Sequence, residues 1–166
     1  MLTFLKSLAF LILVPGTVVL YVPLQLSSGG PANAASFGAL PLWLAGAAAV
    51  VWCVWDFTFT GRGTPLPLDP PRALVGRGLY RYTRNPMYLG AVLILAGHVV
   101  WFQTLGQVGY AAAVWLAFHG FVVFYEEPHL RRTFGDAYQR YCQAVPRWLP
   151  RWRPRAAGPN QPTQPL

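Results

Sequence analysis

The chain has 166 residues, of which 54% are hydrophobic and only 11% charged, with a formal net charge of +8. A soluble domain carries about a quarter charged residues, and here the apolar residues come in long blocks, so the composition points away from a soluble domain and toward one integral membrane domain. No nucleic-acid recognition motif accompanies the positive charge, and Cys53, Cys142, His98, His119 and His129 have neither disulfide-framework nor metal-ligand spacing, so no nucleic acid and no metal are expected.

The first apolar block covers residues 4–26 and is long enough to span a bilayer, with a kink expected at Pro15-Gly16. A secretory signal peptide is the rival reading, with Lys6 before the block and Ala32-Asn33-Ala34 as a small-residue cleavage site. The block is longer than a usual signal core, which favours a retained helix. Residues 27–36 read as an uncharged external loop. The second block, 37–59, carries small residues at 45–49 that permit close helix packing, and it ends in a belt of Trp52, Trp55 and Phe57. Asp56 sits in that belt, as an Arg-paired or solvated acid or as a site residue. Residues 60–86 are rich in Gly, Pro and Arg and read as a loop with short interfacial helical pieces. The third block runs over 87–102, a turn is expected at 103–109, and the fourth block runs over 110–125. That last helix is expected to continue past the membrane, bent at Pro128. Residues 1–153 then form a single membrane domain, and 154–166 a disordered tail. The fold class is an all-α integral membrane protein with about four transmembrane helices and a cytoplasmic cofactor pocket.

No Lys or Arg lies in 7–61 or 85–130, so the positive-inside rule places both termini and the 61–86 segment in the cytoplasm. Membrane lipids are the expected surroundings of the basic residues. Short length, few lysines and no sorting signal suggest a bacterial inner membrane.

Two polar clusters fall at that cytoplasmic level, YRYTRNPMYLG (80–90) and YEEPHLRRTFGDAYQRY (125–141). The short turn between the third and fourth helices makes them antiparallel, which should bring Tyr88 close to Glu126. Glu126 and Glu127 are two of only five acidic residues. Carboxylates there can hold an amine, a ribose or a sulfonium, and Arg84 can grip a carboxylate through paired hydrogen bonds. Pro86 fixes the turn into the helix, and Gly90 admits a close approach to its backbone. S-adenosyl-L-methionine has this mixed character. The plainer alternative pairs the two acids with Arg131 and Arg132 at the interface, Glu127 with Arg131 at helical spacing.

Arg84-Asn85-Pro86-Met87-Tyr88-x-Gly90 resembles the R-[HN]-P-x-Y-x-G motif of the isoprenylcysteine carboxyl methyltransferase and phospholipid methyltransferase superfamily. Glu126-Glu127-x-x-Leu130, with Phe134-Gly135-x-x-Tyr138-x-x-Tyr141 and Val145-Pro146-Arg147, resembles its second signature, and Leu74-Val75-x-x-Gly78-Leu79-Tyr80 also fits. The resemblance covers about residues 70–150. It implies a membrane methyltransferase using S-adenosyl-L-methionine on a lipophilic small-molecule or lipid substrate. Carried over by position, Tyr80, Asn85, Pro86, Met87, Tyr88, Gly90, Glu126 and Glu127 contact the cofactor, and Arg72, Ala73, Leu74 and Val75 line its adenosyl pocket. Glu126, Arg84 and His119 are the candidate catalytic residues, His119 as a base or substrate contact two helical turns before Glu126. The carboxyl methyltransferases have His at the position of Asn85 and Arg at that of Val122, so this chain looks closer to the phospholipid enzymes. The rival readings are a sterol-type membrane reductase using NADPH, against which the paired acids argue, and a non-catalytic membrane protein.

Overall fold

The computed structural model describes residues 16–26, 33–56 and 76–151. Every regular element among them is helical. α1 comprises a wide π-type stretch, Gly16–Tyr21, and an α-helical turn, Val22–Gln25. A 3-10 turn, Ala34–Gly38, leads into α2, Ala39–Asp56. A second 3-10 turn, Gly78–Arg81, precedes α3, Pro86–Phe102. α4 is Leu105–Phe121, and it runs through a π-type stretch, Val122–Glu126, into α5, Glu127–Ala144. The stretches Ala34–Asp56 and Leu105–Ala144 are long and apolar enough to cross a membrane, and Pro86–Phe102 is apolar but shorter. The residues 4–15, the kink at Pro15-Gly16, most of the 60–86 loop and the tail 154–166 lie outside the described residues.

Helices in lipid gain little from burying apolar surface, so they associate where small side chains let backbones meet. α2 and α3 do this. A Cβ on Gly46 would stand 2.6 Å from the Gly90 carbonyl oxygen, and one on Gly90 2.9 Å from that of Gly46. Further along, Gly97 lies under the Trp43 ring, and Phe37 meets Trp101 edge-on at 5.5 Å. The two helices are therefore antiparallel. α1 lies on the α3 and α4 pair, where Val19, Ala91, Leu95 and Val114 form an apolar core. Its carbonyls at Val18 and Pro23 accept from the Tyr110 hydroxyl and the Gln107 amide.

Two boundaries differ from the sequence reading. The expected turn over 103–109 is only Gln103 and Thr104, and α4 begins at Leu105 rather than at Tyr110. Gln103 takes a left-handed conformation (φ 53°), and the Thr104 side chain caps the new helix by accepting from Gln107 N–H at 3.3 Å. Gly106 and Gly109, which fall within that expected turn, sit inside the helix facing open space. The expected loop over 27–36 also ends early. Asn33 and Ser36 form a reciprocal capping box that starts the 3-10 turn. Asn33 and Gln103 then hydrogen-bond side chain to side chain at 3.0 Å, tying the two turns together at one end of the bundle.

The basic end holds the continuation of α4. Pro128 offers no N–H to the carbonyl four residues back, and its ring would crowd that carbonyl in an α-helix. The chain absorbs this as a π stretch in which Glu127 N–H reaches back to Val122 C=O. α5 breaks once more at Gly135 (φ 51°, ψ −126°).

Candidate functional site

The hairpin of α3 and α4 brings the two polar clusters together as its geometry requires. The Tyr88 hydroxyl donates to Glu126 Oε2 at 2.9 Å, and the Tyr88 ring packs on Phe118 at 5.0 Å. Tyr88 lies one turn into α3 and Glu126 at the end of the π stretch. Pro86 occupies the first position of α3, and Met87 packs with Leu79 against the buried pair Tyr80 and Cys53. Tyr80 and Cys53 also share a side-chain hydrogen bond, and the Tyr80 carbonyl accepts from the Tyr141 hydroxyl at 2.8 Å.

The neighbouring acid faces a different set of partners. Glu127 is buried and receives Arg147 through two parallel bonds, Nε to Oε1 at 2.7 Å and Nη2 to Oε2 at 2.9 Å. Arg84 Nη1 adds a third contact at 3.0 Å, while Arg131, the partner expected from helical spacing, stands at 4.0 Å. Burial alone would raise the Glu127 carboxyl. The Arg147 hydrogen bond and the charges of Arg84, Arg147 and Arg131 outweigh it and hold the carboxyl below the usual range. Glu126 moves the other way. Burial raises its carboxyl, the Tyr88 hydrogen bond lowers it in part, and the charge of Glu127 raises it further. Two adjacent acids are thereby given opposite electrostatic settings.

Arg84 and Asn85 serve the same clasp. Arg84 also donates from Nη1 to Cys142 Sγ at 2.8 Å and from its backbone N–H to Pro146 C=O at 2.9 Å. Its Nε is buried without a hydrogen-bond partner among the described residues. Asn85 Nδ2 donates to Arg147 C=O at 3.0 Å, and the Thr83 hydroxyl reaches the carbonyls of Arg147 and Trp148 at 3.0 and 3.1 Å. Arg151 N–H closes the row on Tyr82 C=O. Residues 145–151 thus form a strap bound across the entry to α3. Gly90 makes its close approach to Gly46 of α2.

His119 does not join Glu126. The π stretch lies between them, and the two side chains take different partners. His119 is stacked on Trp115 (ring centres 5.3 Å apart), and Trp148 of the strap donates from Nε1 to His119 Nδ1 at 3.1 Å. A ring that accepts at Nδ1 carries its own proton on Nε2. Arg72, Ala73, Leu74 and Val75 lie outside the described residues. The residues that sequence reasoning passed over are Thr83, Cys142, Arg147 and Trp148. Arg147 did stand inside a recognised signature, but its partner is 20 positions away across the break at Gly135.

Residues 34–137 match the phospholipid methyltransferase family. The chain is 35% identical over 103 residues to a probable protein-S-isoprenylcysteine O-methyltransferase of Oryza sativa subsp. japonica, covering 61% of this chain and 52% of that one. It is 33% identical over 78 residues to protein-S-isoprenylcysteine O-methyltransferase B of Arabidopsis thaliana, 46% of this chain and 39% of that one. It is 39% identical over 64 residues to an uncharacterized protein of Haemophilus influenzae, the whole of that chain and 38% of this one. The chain therefore spans about half or less of the plant relatives it matches, and no solved structure matches it. The matched segment holds α2, α3, α4, the π stretch with Glu126, and the first part of α5 with Glu127, and on that extent the chain belongs to the phospholipid methyltransferase family.

Proposed function

We propose that the chain is an integral membrane methyltransferase that uses S-adenosyl-L-methionine to methylate an oxygen or nitrogen of a lipophilic or lipid-linked acceptor. The observation that carries this reading is Glu126, held by Tyr88 at the basic end of the hairpin, within the segment that matches the family. The residues present fit the cofactor. Glu126 is a part-buried carboxylate suited to a cationic group, and Arg84 keeps one buried N–H without a partner among the described residues, suited to a carboxylate. Tyr80, Met87 and Tyr88 supply apolar and aromatic surface for a base and a ribose.

Bound there, S-adenosyl-L-methionine supplies an electrophilic methyl group on a sulfonium. The chain supplies placement and charge. Glu126 balances the incoming positive charge, and because its carboxyl is raised, binding of a cation draws it toward the ionised form. Tyr88 fixes the orientation of that carboxylate. Glu127 is occupied by Arg147 and Arg84 and keeps the strap in place, so the proposed contact of Glu127 with the cofactor acts through the strap. His119, with Nδ1 engaged by Trp148, presents an N–H at Nε2 and acts as a donor to acceptor oxygens in place of a base. The basic end faces the cytoplasm, and the membrane is a bacterial inner membrane.

Calorimetry of the detergent-purified protein tests the reading. Saturable binding of S-adenosyl-L-methionine is expected, and Glu126→Gln should weaken it by about 10- to 100-fold, the range for losing one hydrogen bond to a charged group. Absence of binding to the wild type, in detergent and again in nanodiscs, would overturn it.

A further inference from the structure

Asp56, the last residue of α2, has a side chain only 7% exposed. Its Oδ1 lies 3.4 Å from Arg77 Nε, whose own side chain is 56% exposed. Its Oδ2 is buried and has no hydrogen-bond partner among the described residues. A carboxylate oxygen out of water without a donor is unfavourable, and native structures leave few such groups unexplained. The backbone is shaped around this one. Gly78 stands over it with φ +57°, and a Cβ there would collide with Oδ2 and come within 2.9 Å of Trp52 Nε1.

The position of Asp56 ties it to the site. Cys53, one turn earlier on α2, hydrogen-bonds Tyr80, and Tyr80 follows Gly78 by two residues. Tyr80 is in turn close enough to Glu126 to feel its charge. Gly78 and Tyr80 thus link Asp56, at the end of α2, to the surroundings of Glu126. Among the described acids near the site, Glu127 is taken up by arginines, and Asp56 Oδ2 and Glu126 remain for a ligand that brings positive charge or hydroxyl donors.

We propose that Asp56 is a further cofactor-binding residue, whose Oδ2 accepts a hydrogen bond from the α-ammonium or a ribose hydroxyl of S-adenosyl-L-methionine. This rests on the methyltransferase reading. The bond order of no group changes. Asp56 binds and orients, and Arg77 holds its other oxygen.

The test is calorimetry with two ligands and two variants, each variant first checked for a monodisperse, helical product. Asp56→Asn should weaken S-adenosyl-L-methionine by about 10- to 100-fold. Arg77→Gln, which leaves Oδ2 in place and removes a guanidinium that is itself exposed, should change it by less than about fivefold. The second ligand, 5′-methylthioadenosine, has the ribose and lacks the amino acid end. A matching loss for it in Asp56→Asn assigns the ribose, and an unchanged affinity assigns the ammonium. A second measurement serves even where Asp56→Asn does not fold. The chain has three aspartates, and with their carboxyl carbons labelled, the Asp56 signal is assigned by elimination using Asp69→Asn and Asp136→Asn. It should shift when S-adenosyl-L-methionine is added to the wild type. The proposal is overturned if that signal stays put, if Asp56→Asn binds like the wild type, or if Arg77→Gln loses as much as Asp56→Asn. Wild-type protein that binds no cofactor would sink the methyltransferase reading together with this one, whereas binding indifferent to Asp56 would sink this one alone.

Discussion

Glu126 and Glu127 are chemically identical neighbours whose surroundings give them opposite pH behaviour. The carboxyl of Glu127 is lowered in the fold, so its stabilisation is complete above the ordinary glutamate value of about 4.3 and is lost as pH falls through its lowered one. The carboxyl of Glu126 is raised, so its contribution has the other sign and declines as pH rises through its folded value. Acidification below about pH 4 should therefore free the strap, seen as faster amide exchange over 145–151. Glu127→Gln should produce the same release at neutral pH and cost about 3 kcal/mol in unfolding, because it leaves Arg84 and Arg147 facing a neutral group. Glu126→Gln should leave the strap's exchange unchanged. The sequence showed that the acids meet the loop carrying Arg84, since a hairpin admits few alternatives. It could not show which acid takes the arginines. That choice depends on the π stretch, which re-aims both side chains, and on a strap that returns from beyond Gly135.

Among the elements, the tightest contact is the crossing of α2 and α3 at Gly46 and Gly90. Gly46→Leu should force the helices apart and destabilise the protein by about 1–3 kcal/mol or more, measured by thermal unfolding in detergent. Gly106→Ala, in a helix position open on all sides, should be neutral or stabilising in the same assay. The small residues at 45–49 announced this crossing, and the length of the apolar blocks announced α2, α3 and α4. The start of α4 was hidden because two glycines within seven residues resemble a turn. The capping threonine and the left-handed Gln103 had already closed the turn before them. The path of the chain past Pro128 was legible as a bend but not as a π stretch, since the missing N–H says that the ladder must change without saying how.

For the whole molecule, the arginines of the described residues gather at one end and the uncharged turns at the other. The proposed orientation has a direct consequence for labelling in a Cys142→Ser background, where the remaining Cys53 is buried. A cysteine at Leu105, 90% exposed beside the turn, should react only with reagent outside the inner membrane, and one at Leu149, 83% exposed in the strap, only after permeabilisation. The reverse pattern would invert the protein in its membrane. The lengths of the helices matter as well. α3 and α4 have 17 residues each. α3 measures about 26 Å, a few ångströms short of a hydrocarbon layer of about 30 Å, whereas α4 runs on through the π stretch to Glu126. In the proposed orientation, with the uncharged turn anchored at the far interface, a helix of the length of α3 leaves Tyr88 at the near edge of the hydrocarbon. Tyr88 would then hold the Glu126 carboxylate at that edge, where acyl chains give way to headgroups. An acceptor whose reacting atom sits at its lipid-head end can reach it without its tail leaving the oil.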